Sequence, residues 1–452
     1  MNTICKFGDI DIYLLYYLDI KTVLRMTIIS KDQNTHMFNL DYIKQLHTLV
    51  QKKVYENIID KAAEHNYLSL IKYVEQSINK FKYTKKAITS AMANGYIDIL
   101  NWFANSEYKF KYSNNAIDFA AKYGHVNILN WFADSKYEFK YTERSINYAA
   151  ENGYIDVLNW FVNSKYEFKY TSRAIDNASA NGHIDVLNWF VNSKYKFVYT
   201  SYVIDIVAKN GNIDVLNWFV NSKYEIEYTE RAIDDAAENG HIDVLNWFAN
   251  SYFEFKYTTC AIDNAAGNGH IDVLNWFVNS KYEFKYTTSA IDNAAGNGRI
   301  DVLNWFVNSE YEFDYTEVAI DRAVNCRYID VLNWFADSKY EITYSRRIII
   351  HAVDRELIDI FEWFANSKYD ITATVIYIAL YRKRLKILKW FDESKYEIKY
   401  GDDIDDDDYI YDVLDSDYMD TLRQYLGSES RILKKIDLCI SRARIFATQR
   451  QL

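Results

Sequence analysis

The stretch YTERSINYAAENGYIDVLNWFVNSKYEFK, Tyr141–Lys169, recurs along most of this chain. Its tryptophans mark the period, because Trp131 and Trp160 lie 29 residues apart and the same spacing holds from Trp102 to Trp363. All 11 tryptophans of the chain occupy this one position, although the last, Trp390, follows 27 residues after the tenth. A fixed period of about 20 to 50 residues is typical of solenoids and other repeat arrays, so the repeat decides the fold.

Each repeat has the pattern of two short helices. In SINYAAEN, small or apolar residues stand at Ile146, Ala149 and Ala150, which is the spacing of one helix face. Gly153 follows, where a helix end favours a left-handed residue. The second helix is apolar on several sides, which predicts burial between neighbouring repeats. Its tryptophan, Trp160 here, is expected to be a buried spacer whose loss costs about 3–5 kcal/mol.

This arrangement of helix, glycine turn, longer helix and extended return resembles the ankyrin repeat. Ile146 falls on the leucine of the family's Thr-Pro-Leu-His box, Ala149 and Ala150 fall on its double alanine, and Gly153 falls on its turn glycine. The helix-two aliphatics of the family correspond to Val157, Leu158, Trp160, Phe161 and Val162.

The repeat also departs from the family. Thr-Pro becomes Arg144-Ser145, the histidine becomes Asn147 (Asp in most repeats), and Lys165 replaces the glycine after the second helix. A repeat of 29 residues is about four shorter than an ankyrin repeat of about 33, at the place of the β-hairpin finger. The resemblance implies an all-α fold: an α-solenoid of stacked ankyrin-like repeats with shortened hairpins. It looks most like the divergent arrays encoded by giant DNA viruses of protists.

Three parts are predicted. Residues 1–50 precede the repeats, residues 51–426 form about thirteen repeats, and residues 427–452 form a basic terminal helix or cap. The first part resembles an F-box, the module that docks a substrate adaptor onto a cullin ubiquitin ligase. It departs from the family at Lys6-Phe7 and Gln33, and a helical cap on the first repeat is the alternative. The candidate F-box contacts are Leu14, Leu15, Leu18 and Leu24.

Composition sets the expected partners and compartment. The net charge is −11, from which we expect no nucleic-acid partner. No stretch approaches the ~20 apolar residues of a membrane helix, no secretory signal is visible, and the four cysteines are scattered. We therefore expect a monomer in the cytoplasm (the host cytoplasm if the protein is viral), with an unidentified protein partner or a Skp-type ligase subunit.

No pattern of catalytic or metal-binding residues is present in the sequence. The histidines after the turn glycines, such as His183, are predicted to be turn residues, since equivalent positions in stacked helices lie ~8–10 Å apart. Gly267-Asn268-Gly269 is a helix end, and the acidic run Asp402–Asp408 lacks the glycine and glutamate of an EF-hand. The basic stretch Arg382–Lys389 is predicted to be a solvated face, and contact with phosphate is the alternative. We expect neither an enzyme nor a cofactor.

Comparison of the repeats with one another separates constant from variable positions. Two positions vary, one just before the first helix and one in its middle. In ankyrin arrays the first helices line the concave groove, so these residues are candidate contacts; neutral drift at exposed sites is the alternative. The candidate partner-binding residues are Phe119, Arg144, Tyr148, Arg173, Tyr202, Ile206, Arg231, Asp235, Arg322 and Arg347.

Overall fold

The computed structural model describes residues 58–77, 81–369, 371–394, 396 and 416–437. Within these ranges the chain is helical and contains no strand, which confirms the predicted all-α solenoid class. The chain divides into two compact units, Met1–Tyr199 and Thr200–Leu452. The predicted F-box contacts Leu14, Leu15, Leu18 and Leu24, the acidic run Asp402–Asp408 and residues 438–452 lie outside the described residues.

The first unit contains five helix pairs. They are α1 (Ile58–Glu64), α2 (Leu68–Ser77), α3 (Lys85–Ala93), α4 (Ile97–Asn105), α5 (Ala116–Lys122), α6 (Val126–Asp134), α7 (Arg144–Glu151), α8 (Ile155–Asn163), α9 (Arg173–Ala180) and α10 (Ile184–Asn192).

The second unit continues the same alternation. Its helices are α11 (Val203–Lys209), α12 (Ile213–Val220), α13 (Arg231–Glu238), α14 (Ile242–Asn250), α15 (Cys260–Asn268), α16 (Ile271–Asn279), α17 (Ser289–Gly296), α18 (Ile300–Asn308), α19 (Glu317–Cys326), α20 (Ile329–Asp337), α21 (Arg346–Asp354), α22 (Ile358–Asn366), α23 (Thr372–Tyr381), α24 (Leu385–Glu393), α25 (Ser416–Leu426) and α26 (431–437). Within each unit the first helix of a pair packs on the first helices of the adjacent pairs.

The turn between the two helices of a pair contains glycine in most repeats, for two reasons, and Asn66, Arg327, Glu356 and Lys383 take the left-handed conformation in the others. Gly153 has a φ of +75°, the left-handed conformation predicted from the sequence. A Cβ atom on Gly153 would also lie 2.9 Å from Nδ1 of His183, which packs over this turn from the next repeat. The histidines that follow the turn glycines are therefore packing residues, and burial lowers the pKa of one of them, His125.

The core differs from the prediction at the tryptophan. Phe161, the residue after Trp160, is 1 % exposed, and it and its equivalents are among the largest fully buried side chains in the described part of the chain. Trp160 itself is half-buried, and its indole N–H donates a hydrogen bond to Oδ1 of Asn130 in the preceding repeat, at 2.6 Å. The interpretation of the tryptophan as a buried spacer is therefore wrong for Trp160, although the equivalent Trp363 is buried. An indole N–H needs an acceptor, and the asparagine supplies it at the edge of the core.

The segment between repeats is held by aromatic rings. Phe139 stacks on Tyr166 of the next repeat with the ring centroids 3.9 Å apart, and it also contacts Trp160. The hydroxyl of Tyr141 donates to the carbonyl of Glu167 at 2.7 Å. These contacts connect adjacent repeats without the strand pairing of a β-hairpin finger.

The last two described helices, α25 and α26, pack against α24. Arg431, on α26, donates to the carbonyl oxygens of Phe391 and Asp392 in the last turn of α24 and of Ser394 and Tyr396 just after it. A guanidinium at this place satisfies carbonyls that a helix end leaves without partners, and it interacts favourably with the helix dipole.

Candidate binding surface on the first helices

In most repeats a carboxylate on the first helix is bonded to a residue just before the next first helix. In α13, Asp234 is 7 % exposed; its Oδ1 accepts the backbone N–H of Thr258 at 2.8 Å, and its Oδ2 accepts the Thr258 hydroxyl at 2.6 Å. We call this two-bond contact the Asp–Thr bracket. It recurs in the pairs Asp60–Thr84, Asp118–Thr142, Asp205–Thr229, Asp263–Thr287 and Asp292–Thr316, and as Asp321–Ser345.

Burial raises the pKa of the Asp234 carboxyl, and the hydrogen bonds from Thr258 oppose the shift. The pKa values of Asp263 and Asp292 are raised for the same reason. In two repeats the bracket is neutral. Asn147 accepts the Thr171 N–H at 3.0 Å and donates to the Thr171 hydroxyl oxygen at 3.0 Å. The hydroxyl oxygen of Thr89 accepts the Ser113 N–H at 3.0 Å and lies 3.0 Å from the Ser113 hydroxyl. The bracket therefore requires a polar side chain at this position, and its charge is secondary.

With the first helices held in this register, their variable residues form a row in each unit. In the first unit, Arg144 and Arg173 are exposed at the starts of α7 and α9. Phe119 and Tyr148 are half-buried in the middle of α5 and α7. Lys122 Nζ lies 4.9 Å from the centroid of the Tyr148 ring, so this part of the row combines cations with aromatic rings.

In the second unit, the row begins with an exposed apolar pair. Tyr202 is 54 % exposed and Ile206 is 37 % exposed, and residues four apart share one helix face. Next along the row, Arg231 is exposed and Asp235 forms a 3.4 Å ion pair with Lys209. Arg322 and Arg347 are exposed further on, on α19 and α21.

The structure shows a role for the mid-helix position that the sequence comparison missed. Its side chain contacts the end of the preceding first helix: Asn177 donates to Glu151 at 2.8 Å, and Asn264 donates to Glu238 at 3.0 Å. Arg322 hydrogen-bonds Asn293, the mid-helix residue of the preceding first helix. The sequence signal for this contact is a charged or polar residue that recurs three positions after the mid-helix residue, such as Glu151 and Glu238. The mid-helix residues thus serve repeat packing as well as the surface.

The basic stretch Arg382–Lys389 is largely ion-paired. Arg384 lies 3.1 Å from Asp354 and Lys386 lies 3.1 Å from Glu356, both on the preceding pair. Across the described ranges, no three His, Cys, Asp or Glu side chains converge as metal ligands would. None of the helices placed in the structure is long and apolar enough to cross a bilayer.

Comparisons with known proteins identify no family. No family model matches the sequence, and no curated protein matches it. The chain is similar to solved structures of the pentatricopeptide repeat protein PPR10, at 9 % identity. Two of them, the protein and a cysteine-to-serine variant of it, each in complex with an 18-nt psaJ RNA element, have a TM-score of 0.33 and cover 98 % of this chain and 67 % of theirs. The third, PPR10 from maize, has a TM-score of 0.32 and covers 95 % of this chain and 74 % of its own.

One of our expectations needs correction. We excluded a nucleic-acid partner from the net charge of −11, and two of the similar structures are complexes with RNA. The physical error lies in using a sum over the whole chain. Arg144, Arg173 and Lys122 belong to one local row of the first unit, and a phosphate or a base responds to local charge. The exclusion is therefore withdrawn.

Proposed function

We propose that the protein is a non-enzymatic scaffold of ankyrin-like repeats that binds a partner protein along the first-helix rows. The observation that carries this proposal is the exposure of the Tyr202 and Ile206 side chains at the two positions where the repeats differ. The constant positions are occupied by repeat-to-repeat contacts such as the Asp–Thr bracket. Variation is therefore tolerated where side chains face outward, and Tyr and Arg at such places are the residue types that anchor protein interfaces.

A protein is favoured over RNA by the mixture of groups along the row. Tyr202 and Ile206 offer an apolar anchor, whereas Asp235 places a carboxylate one repeat further on. Carboxylates and aliphatic side chains are poor partners for a phosphate backbone, and both are ordinary parts of a protein interface. In the setting suggested by the sequence resemblance, the partner is a host protein and the scaffold is viral.

The test is site-specific photo-crosslinking. A benzophenone amino acid is placed at Tyr202 and, in separate variants, at Tyr148 and at Tyr328. Tyr328 is 38 % exposed but precedes the second helix α20, so it is the matched control. The proposal expects one protein to crosslink through Tyr202 or Tyr148 and not through Tyr328. With that protein purified, Tyr202→Ala with Ile206→Ala weakens binding about thirty-fold or more, the size of an interface anchor of ~2 kcal/mol.

Two results would overturn the proposal. Crosslinks that disappear after nuclease treatment identify a nucleic-acid partner instead. Equal crosslinking through Tyr328 places the contact away from the first-helix rows. Circular dichroism of each variant guards against loss of fold, which is expected to be small because Tyr202 is half exposed in the free protein.

A second candidate function rests on residues 1–50. Their resemblance to an F-box supports an adaptor that docks a Skp-type subunit and holds a target on the repeats. The full chain and its Leu18→Asp and Leu24→Asp variants are tested for binding to purified Skp protein. An adaptor requires binding by the parent chain and loss in both variants, and absence of binding by the parent chain removes this candidate.

A further inference from the structure

In the second unit, a lysine covers the aromatic face in most segments between repeats. The Nζ atoms of Lys223, Lys281, Lys339 and Lys368 lie 5.7, 5.4, 5.3 and 5.1 Å from the ring centroid of the tyrosine that follows each of them. A cation at this distance from an aromatic face is attracted by the ring's quadrupole. The repeat thus places its own cation over its own aromatic ring.

The segment after α14 lacks this cation. Tyr252 occupies the position of the lysine, and Phe253 occupies the position of the tyrosine. Phe253 stacks on Trp247 with the centroids 5.6 Å apart, and the Tyr252 ring lies 4.3 Å from Phe253. Tyr252 is 82 % exposed, by far the highest value among the large apolar and aromatic side chains that the structure describes. An aromatic surface is therefore open to solvent here.

This surface borders an open groove between α12 and α14, with a volume of ≈ 620 Å³. Ile213 and Val220 form one wall, and Asp243, Trp247 and Tyr252 belong to the other. Asp243 is the one charged residue that lines the groove, which contains no lysine, arginine or histidine. The indole N–H of Trp247 is already bonded to Asn217 at 2.8 Å, so the tryptophan offers its ring to a ligand and not its donor.

We propose that this groove binds an arginine side chain of a partner protein, with the guanidinium against the Tyr252 and Phe253 rings. Asp243, at the opposite end of α14, gives the groove its negative charge, and the negative faces of the rings attract the same cation. The planar guanidinium stacks on aromatic faces, and it is less strongly hydrated than an ammonium group. An acidic or phosphate-bearing ligand would meet Asp243 and no cation.

The groove is a different surface from the first-helix rows, because it lies between the second helices α12 and α14. The inference therefore does not depend on the proposed function. It depends on the exchange of lysine for tyrosine in one repeat, and that exchange provides a matched control. Tyr252→Lys combined with Phe253→Tyr rebuilds the arrangement of Lys281 and Tyr282 in the next repeat, so the variant is expected to fold.

The experiment uses the full chain with ¹⁵N-labelled tryptophan indoles, each of which reports on one repeat. The probe is a neutral-capped peptide with two arginines, Ac-Gly-Arg-Ser-Arg-Gly-NH₂, and the matched peptide replaces arginine by citrulline, which keeps the shape and removes the charge. We expect the arginine peptide to shift the Trp247 signal, assigned with Trp247→Phe, and to leave the Trp334 signal in place. The double variant should weaken binding about ten-fold and Asp243→Asn should weaken it by a smaller factor, whereas Tyr252→Phe should retain it.

Each other outcome counts against the proposal. Citrulline binding as well as arginine would show that charge is not recognised. Equal affinity in the double variant would show that the open aromatic surface is not the site. Uniform shifts of all tryptophan signals would indicate attraction to the acidic chain as a whole. A shift of Trp247 by single-stranded RNA, with none by the arginine peptide, would assign the groove to a stacked base.

Discussion

Removal of one bracket carboxylate, by Asp234→Ala, is the most direct test of how the repeats are held together. The substitution deletes both acceptors of the bracket, at 2.8 Å from the Thr258 N–H and 2.6 Å from its hydroxyl oxygen, and leaves that N–H with no partner beside the core. Hydrogen bonds to a charged group contribute ~1.5–3 kcal/mol each, and a buried donor without an acceptor costs ~1–3 kcal/mol. Relief of the buried charge offsets part of this loss, so we expect a net destabilisation of ~2–3 kcal/mol.

The matched control is Asp234→Asn. Asn147 already makes the same two-bond contact with Thr171, so an amide fits the site. We expect Asp234→Asn to remain within about 1 kcal/mol of the parent protein, since it keeps two neutral hydrogen bonds and avoids burying a charge. The alanine and asparagine variants remove the same charge, and the difference between them isolates the geometry of the bracket.

Hydrogen–deuterium exchange followed by mass spectrometry is the suitable assay. In a repeat array, each interface contributes separately to stability, so a local probe is more informative than one global midpoint. Protection of peptides from α13 and α15 should fall in Asp234→Ala and persist in Asp234→Asn, while α19 peptides serve as the internal reference. The reasoning fails if both variants lose protection equally, or if the alanine variant matches the parent.

The same pair of proteins tests the effect of pH. Burial raises the pKa of Asp234 above its ordinary value, so folding favours the protonated carboxyl. Its contribution to stability is fully present below the pKa of the unfolded chain, about 3.9, and is lost as the pH rises through the raised folded value. The parent protein should therefore lose stability relative to Asp234→Asn as the pH rises through this acidic window. A constant difference would contradict the assigned cause.

Three further substitutions test the packing. Trp276→Phe removes one 2.8 Å hydrogen bond at a half-buried site, and we expect it to lower the free energy of unfolding by ~1 kcal/mol or less in urea denaturation. Phe277→Ala empties a fully buried site and should lower it by ~3–5 kcal/mol. Equal losses would show that the tryptophan contributes to the core as much as the phenylalanine does. Gly267→Ala should destabilise the protein by ~1–3 kcal/mol despite the better helix propensity of alanine, because the new Cβ would lie 2.7 Å from Cβ of Asn293. The control is Ala180→Gly at the equivalent position of α9, which should cost ~1 kcal/mol from helix propensity alone. A Gly267→Ala protein more stable than the parent would contradict the clash. Arg431→Met should increase deuterium exchange in α25 and α26 without affecting α15, since four carbonyl acceptors lose their donor, and unchanged exchange there would contradict its role.

The features that the sequence predicted are those that a single repeat encodes locally. The helix boundaries follow from apolar spacing and from glycines such as Gly153, whose positive φ is a property of the turn itself. The tryptophan was misjudged because its environment depends on a neighbouring repeat. Trp160 reaches Asn130, and no pattern within one repeat distinguishes that contact from burial.

The candidate site was less predictable for the same reason. The bracket joins residues 24 apart, such as Asp234 and Thr258, and its signal was a pair of polar positions, acid or amide and hydroxyl, that recur together in the repeats. In the alignment to the ankyrin box, the bracket Asp stands where the family has its histidine, and the position was interpreted as a lost histidine and not as a new hydrogen-bond acceptor. The exchange at Tyr252 was likewise visible in the sequence, but its meaning required the lysine-over-tyrosine geometry of the other segments.

The sequence separation between the bonded residues bears on how the number of repeats changes in evolution. Bracket bonds span 24 residues, tyrosine hydroxyl bonds span 26 and tryptophan–asparagine bonds span 30, so each of these contacts ends in the adjacent repeat. If unequal crossing-over removes or duplicates 29 residues within the regular repeats, the donors at the new junction meet acceptors of the same kind. Array length can then change in single genetic steps while the chain remains foldable, and exposed residues such as Tyr202 can be brought into new combinations.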